Sequence, residues 1–292
     1  MEPCKMVAEI GCLHLGDMDR ARHLIKLAAF AGADYVKFQK RNPIESTPKK
    51  IQDKPHPNEK FAHGKTYLEH RINLEFSIEQ HEELKKWCKF NSIGYSTSVW
   101  DTTSAREVVE KLNPDFIKIP SACNHNKEIL NYLVEEYQGG IHISTGMSTG
   151  KELDDLFLSI MPHNKHRVAI YHCTSEYPCP FEHLYLREIS RLNMVLRVLG
   201  DPTIDPVIGF SNHGYGIAAD IAAYILGAQW IERHFVDDRT LRHTDASVSL
   251  EPDGLRKICR DLKAVNSALQ FKEGITQEEE IQRNKLRSTC VN

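Results

Sequence analysis

Short runs of β-branched and aromatic residues alternate with amphipathic segments along the whole chain. The runs have the length and composition of buried strands and lie at residues 6–11, 35–39, 94–98, 116–120, 140–145, 168–173, 206–212 and 230–235. Between them, apolar residues recur at helical spacing, for example over residues 18–31, 78–90, 104–112 and 217–226. This regular alternation predicts parallel strands that are joined by right-handed helical crossovers.

Eight strand–helix units fit a closed barrel better than an open sheet, which usually stops at about five to seven strands. We therefore predict an α/β fold, a single (β/α)8 TIM barrel, over residues 1–270. The last helix is expected at residues 253–269, and residues 271–292 are predicted to be a polar C-terminal tail with no second domain. The connection at residues 40–76 is rich in Pro, His and Lys, and its length predicts a lid or a substrate loop.

Composition narrows the class of protein and its partners. Among the 292 residues, 37 Lys and Arg balance 40 Asp and Glu, so no basic excess is available to bind nucleic acid. No signal peptide and no apolar stretch of about 18 residues is present, so we expect no membrane partner. The 8 cysteines form no CxxC pair, which argues against a zinc site and predicts reduced thiols in a cytoplasmic enzyme.

Charged residues fall on the inner face of several predicted strands. In the second strand the apolar residues suit packing under helices, so Lys37 and Gln39 are expected to point into the barrel. The same alternation places Glu9 and Lys118 inside. A barrel interior is normally filled by Val, Ile and Leu, because a buried charge is costly unless it is paired. Charges of both signs at the C-terminal strand ends therefore predict an active site, with a structural ion-pair network as the alternative.

Two histidines close this set at neighbouring strand ends. His213 follows strand seven and His234 ends strand eight, a placement that predicts a divalent metal site completed by water and substrate oxygens. Neither HxH nor HExxH occurs, so zinc hydrolases of those types are not supported. Glu9 and Glu232 are candidates for acid–base chemistry or for neutralising a lysine, and the sequence does not decide between these roles.

Lysines and hydroxyls suggest what the site binds. Lys37 and Lys118 predict a phosphorylated or carboxylated anion, to which Ser121, Ser144 and Ser211 can add hydrogen bonds. A lysine in a barrel can instead form a Schiff base, which is the second chemistry these residues allow.

Taken together, the strand-end motifs resemble the sialic acid synthase family, the phosphoenolpyruvate-dependent N-acetylneuraminate synthases. The segments that carry the resemblance are AEIG at 8–11, AGADYVKFQ at 31–39, LEF at 74–76, KIPS at 118–121, ISTGM at 143–147, HCTSEYP at 172–178, GFSNH at 209–213, IERHF at 231–235 and SLEP at 249–252. They follow the family order across nearly the whole chain.

The resemblance implies a definite reaction and a metal cofactor. Members condense phosphoenolpyruvate with an N-acylated aldose such as N-acetylmannosamine, giving a nine-carbon keto acid and phosphate. Carried over by position, His213 and His234 hold Mn²⁺ or Mg²⁺, which polarises the aldehyde and orients the attacking water. Glu9 becomes an acid–base or orienting carboxylate.

The remaining site residues are also implied by the resemblance. The phosphoenolpyruvate-binding residues are expected to be Lys37, Thr97, Lys118, Ser121, Ser144, Ser175 and Ser211. Ser175 stands where the family often has Asn. The sugar is expected to face Gln39, Tyr177 and Asp245.

The chain departs from the family pattern on the sugar side. Typical members carry a C-terminal antifreeze-like domain that lends an arginine to the partner subunit, and this sequence ends soon after its eighth helix. Cys123 occupies a position where many members have a sugar-contacting Glu. The partners left open are a homo-oligomer that uses barrel surfaces and a separately encoded antifreeze-like domain.

Two other classes compete with the synthase. One is a different barrel enzyme on small phosphorylated substrates, either an eight-carbon keto-acid synthase or a Lys-dependent aldolase. The other is a catalytically weakened barrel that binds a sugar or acts as a scaffold. The charged interior argues against a scaffold, because a scaffold gains nothing from buried charges.

Overall fold

The computed structural model describes residues 3–160, 168–199 and 206–287 and shows eight parallel strands in a closed barrel. The strands are β1 (Lys5–Gly11), β2 (Tyr35–Lys40), β3 (Gly94–Val99), β4 (Phe116–Ile119), β5 (Gly140–Ser144), β6 (Val168–Cys173), β7 (Val207–Asn212) and β8 (Trp230–His234). Each strand pairs with its neighbours in sequence, and β1 pairs with β8 to close the ring. The predicted (β/α)8 barrel is therefore confirmed.

Helices surround this barrel and fill the connections. They are α1 (Met18–Ala31), α2 (Pro43–Ser46), α3 (Lys49–Gln52), α4 (Tyr67–Leu74), α5 (Ile78–Phe90), α6 (Thr102–Glu107), α7 (Lys127–Glu136), α8 (Gly150–Ile160), α9 (Arg187–Leu199), α10 (Ala218–Ile225), α11 (Pro252–Ala268) and α12 (Gln277–Arg287). A π-helical turn, Val108–Leu112, continues α6, and short 3₁₀ turns occur at Glu59–Phe61, Ser121–Cys123, Phe181–His183 and Ala246–Val248. Across the described ranges, every helix is too short or too polar to cross a bilayer.

Local side chains set the ends of these helices. The carboxylate of Asp17 accepts hydrogen bonds from the backbone of Asp19 and Arg20 at the start of α1. Gly32 ends α1 with a positive φ of 91°, a conformation that costs a glycine little. Ser77 and Gln80 form a reciprocal capping box at the start of α5. Such caps stabilise a helix by about 1 kcal/mol each.

Aromatic rings fill the lower half of the barrel interior. The ring of His142 stacks on Phe116 with centroids 4.0 Å apart and meets Trp230 at 4.7 Å. Its Nδ1 lies 2.9 Å from the Tyr171 hydroxyl. Gly209 leaves room for this cluster, since a Cβ there would lie 2.5 Å from the Tyr171 ring. We call Phe116, His142, Tyr171 and Trp230 the barrel floor, because they close the N-terminal half and leave the polar space at the other end.

The segment after β2 is the long connection predicted as a lid or substrate loop. It forms α2, α3, a 3₁₀ turn and α4 instead of an unstructured loop. Its last helix lies against the β1 turn, where Gly16 approaches the carbonyl of Asn73. The segment predicted as a polar tail also contains a helix, α12, none of whose residues is buried. The division into one domain and a tail remains a prediction.

Candidate active site at the C-terminal end of the barrel

One cavity of about 520 Å³ opens at the C-terminal ends of the strands, the usual location of TIM-barrel active sites. Of the residues predicted to form the site, those that line the cavity are Glu9, Lys37, Gln39, Lys118, Ser121, Ser144, Ser175, Tyr177, Ser211, His213, His234 and Asp245. Glu232 and Arg41 line it as well. A larger opening of about 860 Å³ lies at the opposite end, beside the starts of β2 and β3, and contains none of these groups.

Thr97 is the exception among the predicted site residues. It pairs with Phe38 in the β2–β3 ladder and therefore points away from the interior, as Phe38 does. Its side chain is fully buried and does not line the cavity. Ser98, the next residue, faces inward beside Gln39 and its hydroxyl lies 2.7 Å from Lys37 Nζ. The structure therefore does not place the predicted phosphoenolpyruvate-binding residue Thr97 in the cavity, where Ser98 lies instead.

Two lysines and two glutamates form a buried network at the bottom of the cavity. Lys37 pairs with Glu9 and lies 3.8 Å from Glu232, while Lys118 donates to Glu232 at 2.9 Å. Lys118 Nζ also lies 3.6 Å from the centroid of the Tyr171 ring, on top of the barrel floor. Inside a protein such charges are tolerated only when paired, and these four groups pair with one another. The inward orientation predicted for Glu9, Lys37 and Lys118 is thus observed.

The network changes the acidity of its members in opposite directions. Burial raises the pKa of Glu9 to about 7, although Lys37 acts against this shift. Burial also acts to raise the pKa of Glu232, but the two lysines outweigh it and hold this carboxylate ionised. Burial lowers the pKa of Lys118, and Lys37 adds to this effect by repulsion. Two carboxylates with such different acidity can take different roles, one as proton carrier and one as fixed charge.

The two predicted metal ligands lie side by side above this network. The ring centroids of His213 and His234 are 5.6 Å apart. His213 Nδ1 contacts the Thr174 carbonyl at 2.9 Å, which leaves Nε2 as the nitrogen available to a ligand. His234 Nδ1 is buried without a hydrogen-bond partner in the described structure. A buried, unpartnered imidazole nitrogen beside a second imidazole fits a divalent ion.

Electrostatics keep one of these histidines neutral. Burial lowers the pKa of His234 to about 4, so its imidazole is uncharged near neutral pH, as a metal ligand must be. Burial would lower the pKa of His213 too, but Cys173, 4.0 Å away, raises it. Among the described residues, no group of three His, Cys, Asp or Glu side chains has the spacing of a protein-only metal site. An ion bound here would therefore need oxygen ligands from water or substrate.

Hydroxyl groups line the wall formed by the ends of β4, β5 and β6. The Ser121 hydroxyl accepts a hydrogen bond from the Gly146 backbone N–H at 3.1 Å. Gly146 is required there, because a Cβ would lie 2.7 Å from Ser121 Oγ and closer still to Ser175 Oγ. Ser211 donates to Glu232 at 3.2 Å. Ser121 thus belongs to this wall, whereas Ser211 lies on β7, two residues before His213.

The residues predicted to face the sugar lie nearer the mouth. Tyr177 packs its ring 4.1 Å from that of His213. Asp245 Oδ2 lies 4.0 Å from His234 Nδ1 and 3.8 Å from His243 Nδ1. Gln39 donates to Glu9 at 3.1 Å and thereby links the mouth to the charge network.

Several cavity residues were not anticipated from the sequence. Ser98 could have been found by strand alternation, because it follows the inward face set by Lys37 and Gln39. Arg41, Arg71 and His243 come from the long connection and the segment after β8, whose course no periodic pattern reveals. Cys123, expected where relatives have a Glu, is buried and bonds its thiol to the Trp100 carbonyl at 3.5 Å. It does not line the cavity.

A closed parallel barrel with paired lysines and glutamates below two histidines defines a TIM-barrel enzyme. Residues 24–274 match the model of the NeuB family, and the chain belongs to that family. It is 34% identical over 91% of its length to the human N-acetylneuraminate-9-phosphate synthase, of which it covers 71%. It is 29% identical over 92% of its length to the N,N'-diacetyllegionaminic acid synthase of Campylobacter jejuni, of which it covers 78%.

A solved structure supports the same assignment. The N-acetylneuraminic acid synthetase of Leptospira borgpetersenii, crystallised with citrate, superposes with a TM-score of 0.78 at 26% identity. The match covers 98% of this chain and 93% of that one. The resemblance read from the strand-end motifs is confirmed, and this protein is an enzyme of a family whose relatives are named as synthases.

Proposed function

We propose that this enzyme condenses phosphoenolpyruvate with an N-acylated aldose to give a sialic-type keto acid and phosphate. Membership of the NeuB family and the names of its relatives support this reaction class. The observation that carries the proposal is the cavity itself, where Lys37 and Lys118 lie below His213 and His234. A dianionic substrate and an aldehyde can meet there within one enclosed space.

In this reaction C3 of phosphoenolpyruvate bonds to the aldehyde carbon, water adds to C2, and phosphate leaves from C2. The protons of that water end on the new hydroxyl group and on phosphate. Lys37 and Lys118 would hold the phosphate and carboxylate, with Ser98, Ser121 and Ser144 donating hydrogen bonds. Ser175 and Ser211 would complete this shell. Their fixed positions favour the reaction by orientation and charge neutralisation.

His213 and His234 would hold Mn²⁺ or Mg²⁺. A divalent ion there supplies Lewis-acid polarisation of the aldehyde oxygen. Gln39, Tyr177 and Asp245 would orient the sugar, and Glu9 would carry or direct a proton. Glu232 stays ionised between the two lysines and holds both ammonium groups at the bottom of the cavity. The proposal places the reaction in the cytoplasm.

The test is consumption of phosphoenolpyruvate with Mn²⁺ or Mg²⁺ across a panel of aldoses headed by N-acetylmannosamine, with and without EDTA. We expect keto-acid formation that requires one aldose and that EDTA abolishes. The activity of a Lys-dependent aldolase would survive EDTA. Borohydride would reduce the Schiff base between its lysine and the substrate and leave the substrate attached to the enzyme. A binding or scaffold role would give no turnover with any aldose, and this outcome would overturn the synthase proposal.

Replacing either histidine tests the metal assignment directly. His213→Ala and His234→Ala should each lower kcat at least about 100-fold, because either change removes half of the protein ligands. The fold should survive, as circular dichroism and thermal melting will show. His23→Ala on the exposed face of α1 is the matched control and should retain full activity. Wild-type turnover in either folded active-site variant would refute the assignment.

A further inference from the structure

A second opening lies at the N-terminal ends of the strands, on the other side of the barrel floor from the candidate active site. Its volume of about 860 Å³ falls within the range of roughly 300–1,000 Å³ that is usual for small-molecule sites. Its walls come from the start of β2, the end of α5, the turn before β3 and the segment before β4. The described residues that line it and those that line the active-site cavity do not overlap. We call it the N-terminal opening.

Lysines dominate the walls of the N-terminal opening. Of the described residues that line it, three are acids and five are lysines, namely Lys5, Lys85, Lys86, Lys89 and Lys111. Lys86 and Lys89 are exposed near the end of α5, and no Asp or Glu of the described chain forms an ion pair with either. Two ammonium groups at the rim are therefore available to an anion.

The acids in the N-terminal opening do not balance this charge. Asp34 pairs with Lys5 at 3.3 Å, and Asp115 accepts a hydrogen bond from the Tyr35 hydroxyl at 3.0 Å. Glu82 is the third acid, so the opening keeps an excess of positive charge. A concave surface with such an excess concentrates anions from solution.

One wall of the N-terminal opening is held in place by Lys85. Its Nζ donates to the carbonyl of Leu112 and, at 3.3 Å, to that of Asn113, where the π-helical turn ends. Asn113 has a φ of +40°, and Ser92, which lines the opening, has a φ of +56°. Positive φ outside glycine and π-helical turns both occur preferentially at functional sites. The wall thus has a fixed shape of the kind found around bound ligands.

Tyr35 adds an aromatic ring beside these cations. It is the first residue of β2, and its side chain is partly exposed in the N-terminal opening. A Cβ at Gly94 would overlap the ring, so glycine at the start of β3 makes room for it. The edge-on contact with Phe116, with centroids 5.2 Å apart, and the hydrogen bond to Asp115 fix its orientation. A fixed ring next to cations suits a ligand that combines a planar group with an anion.

We propose that the N-terminal opening binds a nucleoside phosphate, with Lys86 and Lys89 on the phosphate and Tyr35 against the base. Lysine binds phosphate as a point charge, and every nucleobase has a flat face that stacks on an aromatic ring. This proposal does not depend on the condensation proposed above, because it uses none of the residues of the active-site cavity. The nucleotide is a ligand additional to the substrates and binds while they occupy their own cavity.

Titration calorimetry with the 5′-monophosphates of adenosine, guanosine, cytidine and uridine tests the site. We expect at least one of them to bind once per chain with a Kd below about 1 mM. The matching nucleoside and ribose 5-phosphate should each bind at least 10-fold more weakly, because each lacks one half of the ligand. Failure of all four nucleotides to bind, or equally tight binding of ribose 5-phosphate or inorganic phosphate, would overturn the proposal.

Lysine variants locate the phosphate. Lys86→Gln combined with Lys89→Gln should weaken nucleotide binding at least 10-fold and retain the fold in thermal melting, because both side chains are exposed. The matched control is Lys26→Gln combined with Lys151→Gln, which removes two charges from exposed positions outside the opening. Equal losses in the two double variants would show attraction to the net charge alone and would refute the site.

Tyrosine variants test the contact with the base. Tyr35→Leu removes the ring and should lower the affinity for the nucleotide to that for ribose 5-phosphate. Tyr35→Phe keeps the ring and should bind the nucleotide within about 3-fold of wild type, as expected for stacking. Unchanged binding in folded Tyr35→Leu would refute the role of the ring. If Tyr35→Leu does not fold, the lysine variants and the ribose 5-phosphate titration still decide.

Competition separates this site from the active-site cavity. Phosphoenolpyruvate with Mn²⁺ should change the Kd of the nucleotide less than 2-fold, because the two openings lie at opposite ends of the barrel. Displacement of the nucleotide by phosphoenolpyruvate would place it beside Lys37 and Lys118 and would overturn the proposal.

Discussion

Arg233 and Asp220 form a buried ion pair on the outer side of the barrel beside the active-site strands. Their side chains are 1% and 0% exposed, and Arg233 Nη1 lies 2.7 Å from Asp220 Oδ2. Asn212 donates to the same carboxylate at 2.8 Å. Arg233 also donates to the carbonyls of Gly214 and Gly216 at 2.8 Å. The pair therefore fixes the turn that carries His213 against β8.

Breaking this pair should destabilise the fold strongly. We expect Asp220→Ala to lower the free energy of unfolding by about 3–5 kcal/mol, because it leaves a buried guanidinium without its counterion. Urea denaturation measures the loss. Asp220→Ala combined with Arg233→Met should recover part of it, since the uncompensated charge is then gone. A loss below about 1 kcal/mol in the single variant would show that water or backbone carbonyls satisfy Arg233 alone.

Thr97 and Ser98 are adjacent in β3, and their position in the strand decides which of the two hydroxyl groups faces the cavity. Both are hydroxyl residues in the same strand, and the motif alone does not say which one faces the ligand. Their partners on β2 show which one faces the ligand, because Thr97 lies beside the outward-pointing Phe38 and Ser98 beside the inward-pointing Gln39. The rule of alternation that correctly placed Lys37 and Lys118 inside would have selected Ser98 as well.

At the scale of elements, the long connection depends on a close contact at Gly16. Gly16 has a φ of +75°, and a Cβ there would overlap the Asn73 carbonyl at the end of α4. Gly16→Ala should therefore loosen the connection and cost about 1–3 kcal/mol. Urea denaturation and limited proteolysis between residues 41 and 75 measure the two effects.

Gly216 offers a control with the same backbone strain. Its φ is +72°, but nothing lies within 4 Å of the position of its Cβ. Gly216→Ala should therefore reproduce the conformational cost without exposing the connection to protease. Equal proteolysis of the two variants would mean that the Asn73 contact does not hold the connection in place.

Glu75, in the connection, makes the stability of the protein depend on pH. Burial raises the pKa of this carboxyl to about 7 from its ordinary 4.5, despite the nearby Lys40. The folded state thus keeps a proton that the unfolded chain has already lost, so Glu75 reduces stability as pH rises from about 4.5 to 7. Relative to Glu75→Gln, wild-type protein should lose on the order of 3 kcal/mol across this range.

Urea denaturation of both proteins at several pH values tests this linkage. Glu110→Gln, at an exposed position in the π-helical turn after α6, is the control and should track wild type at every pH. A constant difference between wild type and Glu75→Gln would show that Lys40 keeps the carboxylate ionised throughout.

Strands and barrel helices were predictable because their patterns are periodic, whereas the connection was not. Alternation and apolar runs predicted all eight strands with ends within one residue of those observed. The helices α2 and α4 instead begin at side-chain caps, Asn42 and Thr66, and pack against each other within the connection. Helix α12 buries no apolar face, so no hydrophobic periodicity in its sequence predicted a helix there. Arg41 and Arg71 belong to the connection, which has no such periodic pattern, and their place in the cavity was therefore not predicted.

At the scale of the whole molecule, the barrel floor is expected to contribute to the stability of the fold and not to substrate binding. Phe116 is buried among His142, Trp230 and Tyr35, with the Trp230 ring 5.2 Å away. Phe116→Ala should cost about 3–5 kcal/mol of unfolding free energy, because the floor cannot collapse around the lost ring.

The same variant should leave KM for phosphoenolpyruvate within about 2-fold of wild type, since Phe116 lies two residues below Lys118 and does not line the cavity. Phe90→Ala, at a solvent-exposed ring, is the control for stability. A large change in KM would mean that the floor transmits packing strain to Lys118 through Tyr171.

The pairing of β1 with β8 has a consequence for how the chain folds during its synthesis. Glu9 lies opposite His234 in that ladder, although the two are separated by most of the chain. During synthesis, at about 5–20 residues per second, β1 is made roughly 10–45 seconds before Glu232 and His234 exist. Lys118 then lacks its carboxylate partner, and β1 presents an open edge of the kind that invites aggregation. The last strand to be made therefore seals the nascent barrel and completes its catalytic centre in one event.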